Sequence, residues 1–295
     1  MKKMFALLVA LSIAAPAFAA DPTPDFQTML DALNGSLAAE GNGARVLQIE
    51  WMTSDEGDGA EAGNTVFAFN VGNKQLTADY APFDPRRSWN ISDTISYLVD
   101  QSDGATNDGL TNAQTEAAID RAMATWDAAT TCSAAPNVKA ADIGADVDLI
   151  DFLLGFGAPG GEVADLVHAG WVPAGIFPNN VIGVTFTLVW VDGAGNATDI
   201  NQDGKADVAW REIFYNDVFV WRINANIDVE TVALHEAGHG LSQGHFGKIF
   251  ITDSNGKLHF SPRAVMNAAY GGVIQDLTGT DLSGHCSIWG DWPNQ

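Results

Sequence analysis

Apolar positions along this chain recur with two periods, and the changes of period mark its elements. Between Thr111 and Thr130, residues Ile119, Ala122, Met123 and Trp126 fall at helical spacing behind a Thr111/Gln114 capping-box pattern, which predicts an amphipathic helix. Short apolar or alternating runs predict strands: "RVLQIEW", "TVFAFNV", "ISYLVD" (Ile95 to Asp100), "DVDLIDFLL", "ADLVHAGW", "VIGVTFTLVWV" and "ADVAWREIFY". Asp228 is a plausible N-cap for a second helix, from Val229 to about Leu241. Beyond it, the Asn255-Gly256 pair inside "KIFITDSNGKLHF" predicts a hairpin turn, and "DLTGTDLSGHCSIWG" predicts a terminal helix. There is no long internal repeat. The layout is α+β: strands and one helix, then the second helix, then a mostly irregular C-terminal part.

The first residues alter where this layout begins. Lys2 and Lys3 precede an apolar run from Met4 to Ile13, followed by "AAPAFAA", with Ala17 and Ala19 at the small-residue positions of a signal-peptidase site. Residues 1–19 are therefore expected to be a bacterial-looking signal peptide and the mature protein to be secreted, extracellular or periplasmic. No later stretch reaches the roughly 18 apolar residues that a membrane span needs. Residues 20–84 are expected to form an N-terminal extension or pro-segment. They are polar, carry the loop "SDEGDGAEAGN" and end at the turn-rich "APFDPRR". Residues 85–295 are expected to form one larger domain.

Charge narrows the partners. After signal removal 12 of the 14 Lys/Arg remain against all 37 Asp/Glu, a formal charge of −25. Such a surface repels nucleic acid and anionic membrane, and keeps a monomer soluble. Cys132 and Cys286 lie in a chain expected to be exported, where disulfides persist, so they are either bridged or two buried thiols.

The candidate chemistry sits in "VALHEAGHGLSQGHFG", residues 232–247. On a helix His235 and His239 share a face, ~5–6 Å apart at Cβ, which lets both imidazoles reach one zinc. Glu236 points about 100° round the helix, beside the metal, where it can hold a water as general base. His245 needs a sharp turn to become a third ligand, and Gly244 offers one. Gly238 and Gly240 each cost a helix interior about 1 kcal/mol relative to Ala, a local penalty of the kind that gathers at sites.

"HEAGHGLSQGH" resembles the metzincin signature H-E-x-x-H-x-x-G-x-x-H, with Ser242 in place of its glycine. "RAVMNAAY" is similar to the methionine turn of that family: Met266 would be the floor beneath the metal, Tyr270 fits the matrixin form, and Ala268 replaces the usual proline. The resemblance runs from about 85 to 295. It implies a metzincin-like catalytic domain, with a twisted, mostly parallel sheet, two main helices, an active-site helix and an irregular C-terminal subdomain ending in a helix. It further implies zinc held by His235, His239 and His245, peptide hydrolysis with Glu236 as base, and a protein or peptide substrate paired with an exposed edge strand, for which "GVTFTLVWV" is the candidate. Residues 20–84 contain no cysteine, so the matrixin cysteine-switch cannot operate there. A thermolysin-like site needs a downstream glutamate, and no glutamate follows Glu236. Asp276 and Asp281 remain as alternative third ligands.

A second metal is suggested by "TDINQDGKADVAW". Asp199, Asn201, Asp203 and Asp207 stand at positions 1, 3, 5 and 9 with Gly204 at 6, and Lys205 would add a backbone carbonyl, so Ca²⁺ is expected. Position 12 is Trp210, so the loop is not an EF-hand. His168, His259 and His285 have no partners at ligand spacing. The expected function is a secreted zinc endopeptidase. The alternative is an exported, calcium-stabilised binding protein with a structural or inactive zinc site.

Overall fold

The computed structural model describes residues 25–54, 62–69, 76–129, 132, 136–156, 163–251 and 258–294. The expected signal peptide and the Asn255-Gly256 turn lie outside them. In chain order the elements are α1 (Phe26–Ala39), β1 (Ala44–Thr53), β2 (Thr65–Phe67), β3 (Ala78–Asp79), β4 (Ile95–Val99), α2 (Asn112–Asp127), β5 (Asn137–Lys139), α3 (Leu149–Leu154), β6 (Leu166–Val172), β7 (Val181–Trp190) and β8 (Ala206–Asn216). There follow β9 (Trp221–Arg222), β10 (Ile227–Asp228), α4 (Val229–Gly240), β11 (Lys248–Ile251), β12 (Leu258–Ser261) and α5 (Gly279–Trp289).

One mixed sheet organises the protein, in the order β2-β1-β7-β8-β6-β4-β5, with β3 added to β8. The β8-β6-β4-β5 half is parallel and the β2-β1-β7-β8 half antiparallel. Among the described residues four of its seven pairings are parallel, so the sheet is mixed with a parallel majority. One expectation is corrected: β7 is not an edge, because β1, from the N-terminal segment, pairs with it from Ala44↔Trp190 to Thr53↔Val181. Residues 26–67 thus contribute two strands and a helix to the same body.

Each sheet face carries its own core. On one, Ile119, Met123 and Trp126 of α2 pack with Val232, Leu234 and Ala237 of α4. On the other, α1 lays Phe26, Met29, Leu30, Leu33 and Leu37 against Val184, Phe186 and Leu188 of β7. Helix α1 is unpredicted. Its spacing is nevertheless helical and Asp25 caps it by accepting from Thr28 N at 2.8 Å. Part of "DVDLIDFLL" is also a helix, not a strand. Asp148 accepts from Asp151 N at 2.7 Å, Gly155 closes the last turn at φ 86°, and Leu149, Ile150, Phe152 and Leu153 are buried.

Helix α4 is buried on all sides, so its sequence shows little amphipathic contrast. Asp228 caps it by accepting from Thr231 N at 3.0 Å. At its other end Gly240 O accepts from Arg211 Nη1 at 3.0 Å, and Leu241 O accepts from Trp289 Nε1 at 2.9 Å. A buried guanidinium at a helix C-terminus opposes the negative end of the helix dipole. Cys132 and Cys286 are joined with their Cα atoms 5.3 Å apart, which ties the segment after α2 to α5.

Candidate metal centre

His235 and His239 project from one face of α4, and the chain turns back immediately after it to bring His245 beside them. The turn is made by Ser242, at φ 71°, the left-handed region. Gly244, the expected hinge, has no such φ. The two helix glycines answer to packing. A Cβ on Gly238 would lie 2.3 Å from Met266 Sδ, and one on Gly240 2.6 Å from Leu166 Cδ1. Met266 is therefore pressed against the helix under the histidines, fully buried.

The three Nε2 atoms converge, at 3.2 Å for His235–His245, 3.1 Å for His239–His235 and 3.1 Å for His239–His245. His235 Nδ1 lies 2.7 Å from Val265 O, and His239 Nδ1 lies 2.7 Å from Gln243 O. Carbonyls only accept, so each Nδ1 carries the proton and each Nε2 of that pair turns a lone pair inward. Inward lone pairs repel unless a cation lies between them. Zn–N bonds of about 2.0–2.1 Å in a tetrahedron put ligand nitrogens about 3.3 Å apart, close to the spacing here. The donor set fits zinc. Burial pushes His235 down to about 3 and His239 to about 4. Burial and then the two neighbouring imidazoles hold His245 well below the usual histidine range. Neutral imidazole is the ligating form.

Glu236 is fully buried beside this cluster. Its Oε2 accepts from Thr185 Oγ1 at 2.6 Å, while Oε1 has no hydrogen-bond partner. Gly183 of β7 makes room for it: a Cβ there would sit 2.6 Å from Oε1. Burial pushes the carboxyl well above its ordinary range, against the opposing hydrogen bond from Thr185. A dication at the histidines would oppose that shift.

The shell behind the histidines joins residues the sequence singled out for other roles, Asp281 and Tyr270, to two it did not, Thr185 and Glu50. Asp281 takes the backbone amides of Val265 and Met266 at 3.1 and 3.2 Å and pairs with Thr278 in a capping box. Since Val265 O anchors His235, Asp281 positions one of the three histidines and does not join their cluster. Tyr270 accepts from Asp228 N at 3.1 Å and donates to Asn226 O at 2.6 Å, so it locks the methionine turn to the start of α4. Glu50 of β1 comes within 3.3 Å of His239 Nδ1. Asp281 carried a capping signal in sequence. Thr185 and Glu50 carried none, because long-range pairing alone delivers them.

The expected calcium loop is closed differently. Asp199 accepts from the amides of Asp203 and Gly204 at 3.0 and 2.9 Å. Asp203 pairs with Lys205 Nζ at 2.8 Å, and Asp207 with Arg86 Nη2 at 2.7 Å. Lys205 places its ammonium on Asp79 and Asp203, and Asp199, Asp203 and Asp207 do not gather within reach of one ion. Among the described residues two groups do: the three histidines, and Asp103 with Asp146 and Asp148. His168 is a buried strand residue 2.8 Å from Tyr215 Oη, and His285 packs between Trp126 and Trp289.

No family model matches the chain, and no curated protein matches it.

Proposed function

We propose that the protein is an exported zinc-dependent endopeptidase similar to the matrixin-like metzincins. The observation that carries this reading is the convergence of three inward Nε2 atoms at 3.1–3.2 Å beside a buried carboxylate whose Oε1 is unpartnered. His235, His239 and His245 would hold the ion, which when bound supplies a Lewis acid of the kind that activates water and polarises a peptide carbonyl. The remaining steps belong to the chain. Thr185 holds Glu236 by Oε2, which leaves Oε1 to accept a proton from the attacking water and return it to the departing amine. Met266 and Asp281 keep the ligand-bearing turns in place. That the Nδ1 protons of His235 and His239 are held by backbone carbonyls supports a preorganised site.

A structural zinc site has no use for a buried base, and this separates the peptidase from the binding-protein alternative. Purified protein is expected to carry one zinc per chain, lost in His245→Ala and kept in Glu236→Ala. A mixed-peptide library should be cleaved by protein carrying Glu236 and not by Glu236→Ala. Bound zinc with no hydrolysis of the library would favour the binding reading.

A further inference from the structure

The three histidines are unequally covered. His235 and His239 have no exposed surface, and neither has Glu236, whereas His245 is partly exposed. His245 lines a cavity of about 630 Å³, walled by β1 and β2 on one side and by α5 on the other. The histidine cluster therefore meets solvent on its His245 side, through this cavity.

Two buried side chains in the cavity have acceptor capacity left over. Glu50 is 3% exposed; its Oε2 accepts from Gln48 Nε2 at 2.8 Å. Its Oε1 lies 3.3 Å from His239 Nδ1, but that proton goes to Gln243 O at 2.7 Å. Arg211 lines the same cavity and spends its donors elsewhere, on Thr187 Oγ1, Gly240 O and Ala78 O at 3.0, 3.0 and 3.4 Å. Among the described residues no lysine or arginine pairs with Glu50. Gln243 is also 3% exposed, and neither atom of its amide has a hydrogen-bond partner. Its Oε1 faces Gly284, where a Cβ would lie 2.7 Å away. The wall between is apolar in part, with Phe67 and Phe246.

A buried carboxylate with no cation on it is costly, and a ligand that brings one removes the cost. We propose that this cavity is a specificity subsite for an arginine side chain, whose guanidinium donates to Glu50 and to Gln243 Oε1 while its methylene stem lies against Phe67 and Phe246. A guanidinium presents five N–H donors in a planar fork, which suits two separate acceptors; a lysine ammonium is a point charge on a flexible stem. Calling the ligand a substrate rests on the peptidase reading; the recognition itself rests on the cavity.

Binding can be measured apart from cleavage with N-acetyl-arginine amide and N-acetyl-citrulline amide, neither of which has an internal bond for an endopeptidase to cut. Citrulline keeps the shape and loses the charge. In calorimetric titration of the full-length protein the arginine ligand is expected to bind about tenfold tighter, since hydrogen bonds to an ionised partner are the strong ones. Glu50→Gln should abolish that difference. Ser287→Trp, on the exposed face of α5, fills the cavity from its far wall and should weaken the arginine ligand about tenfold. Zinc content equal to wild type identifies a variant that has kept its fold, and where Glu50→Gln loses zinc the Ser287→Trp result decides alone. Equal binding of the two ligands by wild type, or a difference that survives in both variants, overturns the subsite and leaves Glu50 to His239. Cleavage of the mixed-peptide library with no arginine at a fixed distance from the cut overturns it too and leaves the peptidase reading standing. Preferential arginine binding with no cleavage keeps the subsite and removes the peptidase reading.

Discussion

Thr185 donates its hydroxyl proton to Glu236 Oε2 at 2.6 Å, across the buried seam between β7 and α4. The bond fixes which oxygen of the carboxylate is free. A hydrogen bond to a charged group contributes ~1.5–3 kcal/mol, so its loss is worth roughly ten- to a hundredfold. Thr185→Val should lower kcat by about that factor with KM little changed, while Thr185→Ser restores most of it, because the hydroxyl and not the methyl orients the base. A fall in KM-dependent terms alone, or no rescue by serine, would assign Thr185 to packing.

In the proposed zinc site Asp281 acts one step further out. Its carboxylate collects the amides of Val265 and Met266, and Val265 then offers its carbonyl to His235. Asp281→Ala leaves two buried amides unpaired, at ~1–3 kcal/mol each. Stability should drop by a few kcal/mol in chemical denaturation. Zinc affinity should fall by about 10–100-fold, the usual effect of losing an outer-shell partner. Competition with a chelator of known affinity measures the second effect. Unchanged affinity would mean that His235 is oriented by α4 alone.

How far these relationships were legible in sequence depended on their range. The three histidines, Glu236, Met266 and the caps at Thr111 and Asp228 lie within one local pattern each, and local patterns survive in one dimension. Helix α1 was legible too, since Phe26, Met29, Leu30, Leu33 and Leu37 keep helical spacing behind Asp25; the surrounding acid- and glycine-rich residues masked it. Around Leu149 a short apolar run suited either strand or helix, and the N-cap at Asp148 with Gly155 decided it. The partner of β7 was illegible. An edge and an interior strand read alike when both are apolar, and nothing local in "RVLQIEW" states that it pairs with a strand more than a hundred residues away. The glycines at 238 and 240, expected to mark a site, answer to packing: Met266 and Leu166 need the space their side chains would fill.

Glu212 gives the pH dependence a sign. It accepts Leu149 N at 2.9 Å and Trp210 Nε1 at 2.8 Å, and burial raises it to about 8; burial likewise raises Asp148 to about 7. Groups raised on folding bind more protons in the folded chain, so their contribution is full at low pH and is lost as pH climbs through the folded values. The buried histidines run the other way, but their gain is complete above their unfolded pKa of ~6.5. Between about pH 6.5 and 8 the carboxylates decide, and stability should fall as pH rises. Glu212→Gln keeps an acceptor for Trp210 and cannot ionise. Its Tm should therefore fall less than that of wild type over this interval, and parallel curves would put the titrating group elsewhere.

Ser242 carries the bend on which the metal centre depends, at φ 71° and with its Oγ buried and unpartnered. A left-handed conformation costs an ordinary L-residue roughly 1–2 kcal/mol and glycine almost nothing. Against that, glycine loses about 0.5–1 kcal/mol more conformational entropy on folding. The strain is the larger quantity, so Ser242→Gly should stabilise the protein by about 0.5–1 kcal/mol, with zinc content unchanged. Ser242→Ala removes the unpartnered hydroxyl but retains the strain, and should gain less than the glycine variant. The comparison isolates backbone from side chain: if alanine equals glycine in the denaturation midpoint, the hydroxyl was the cost. If glycine is less stable than serine, the turn is not strained and His245 is held by its neighbours instead.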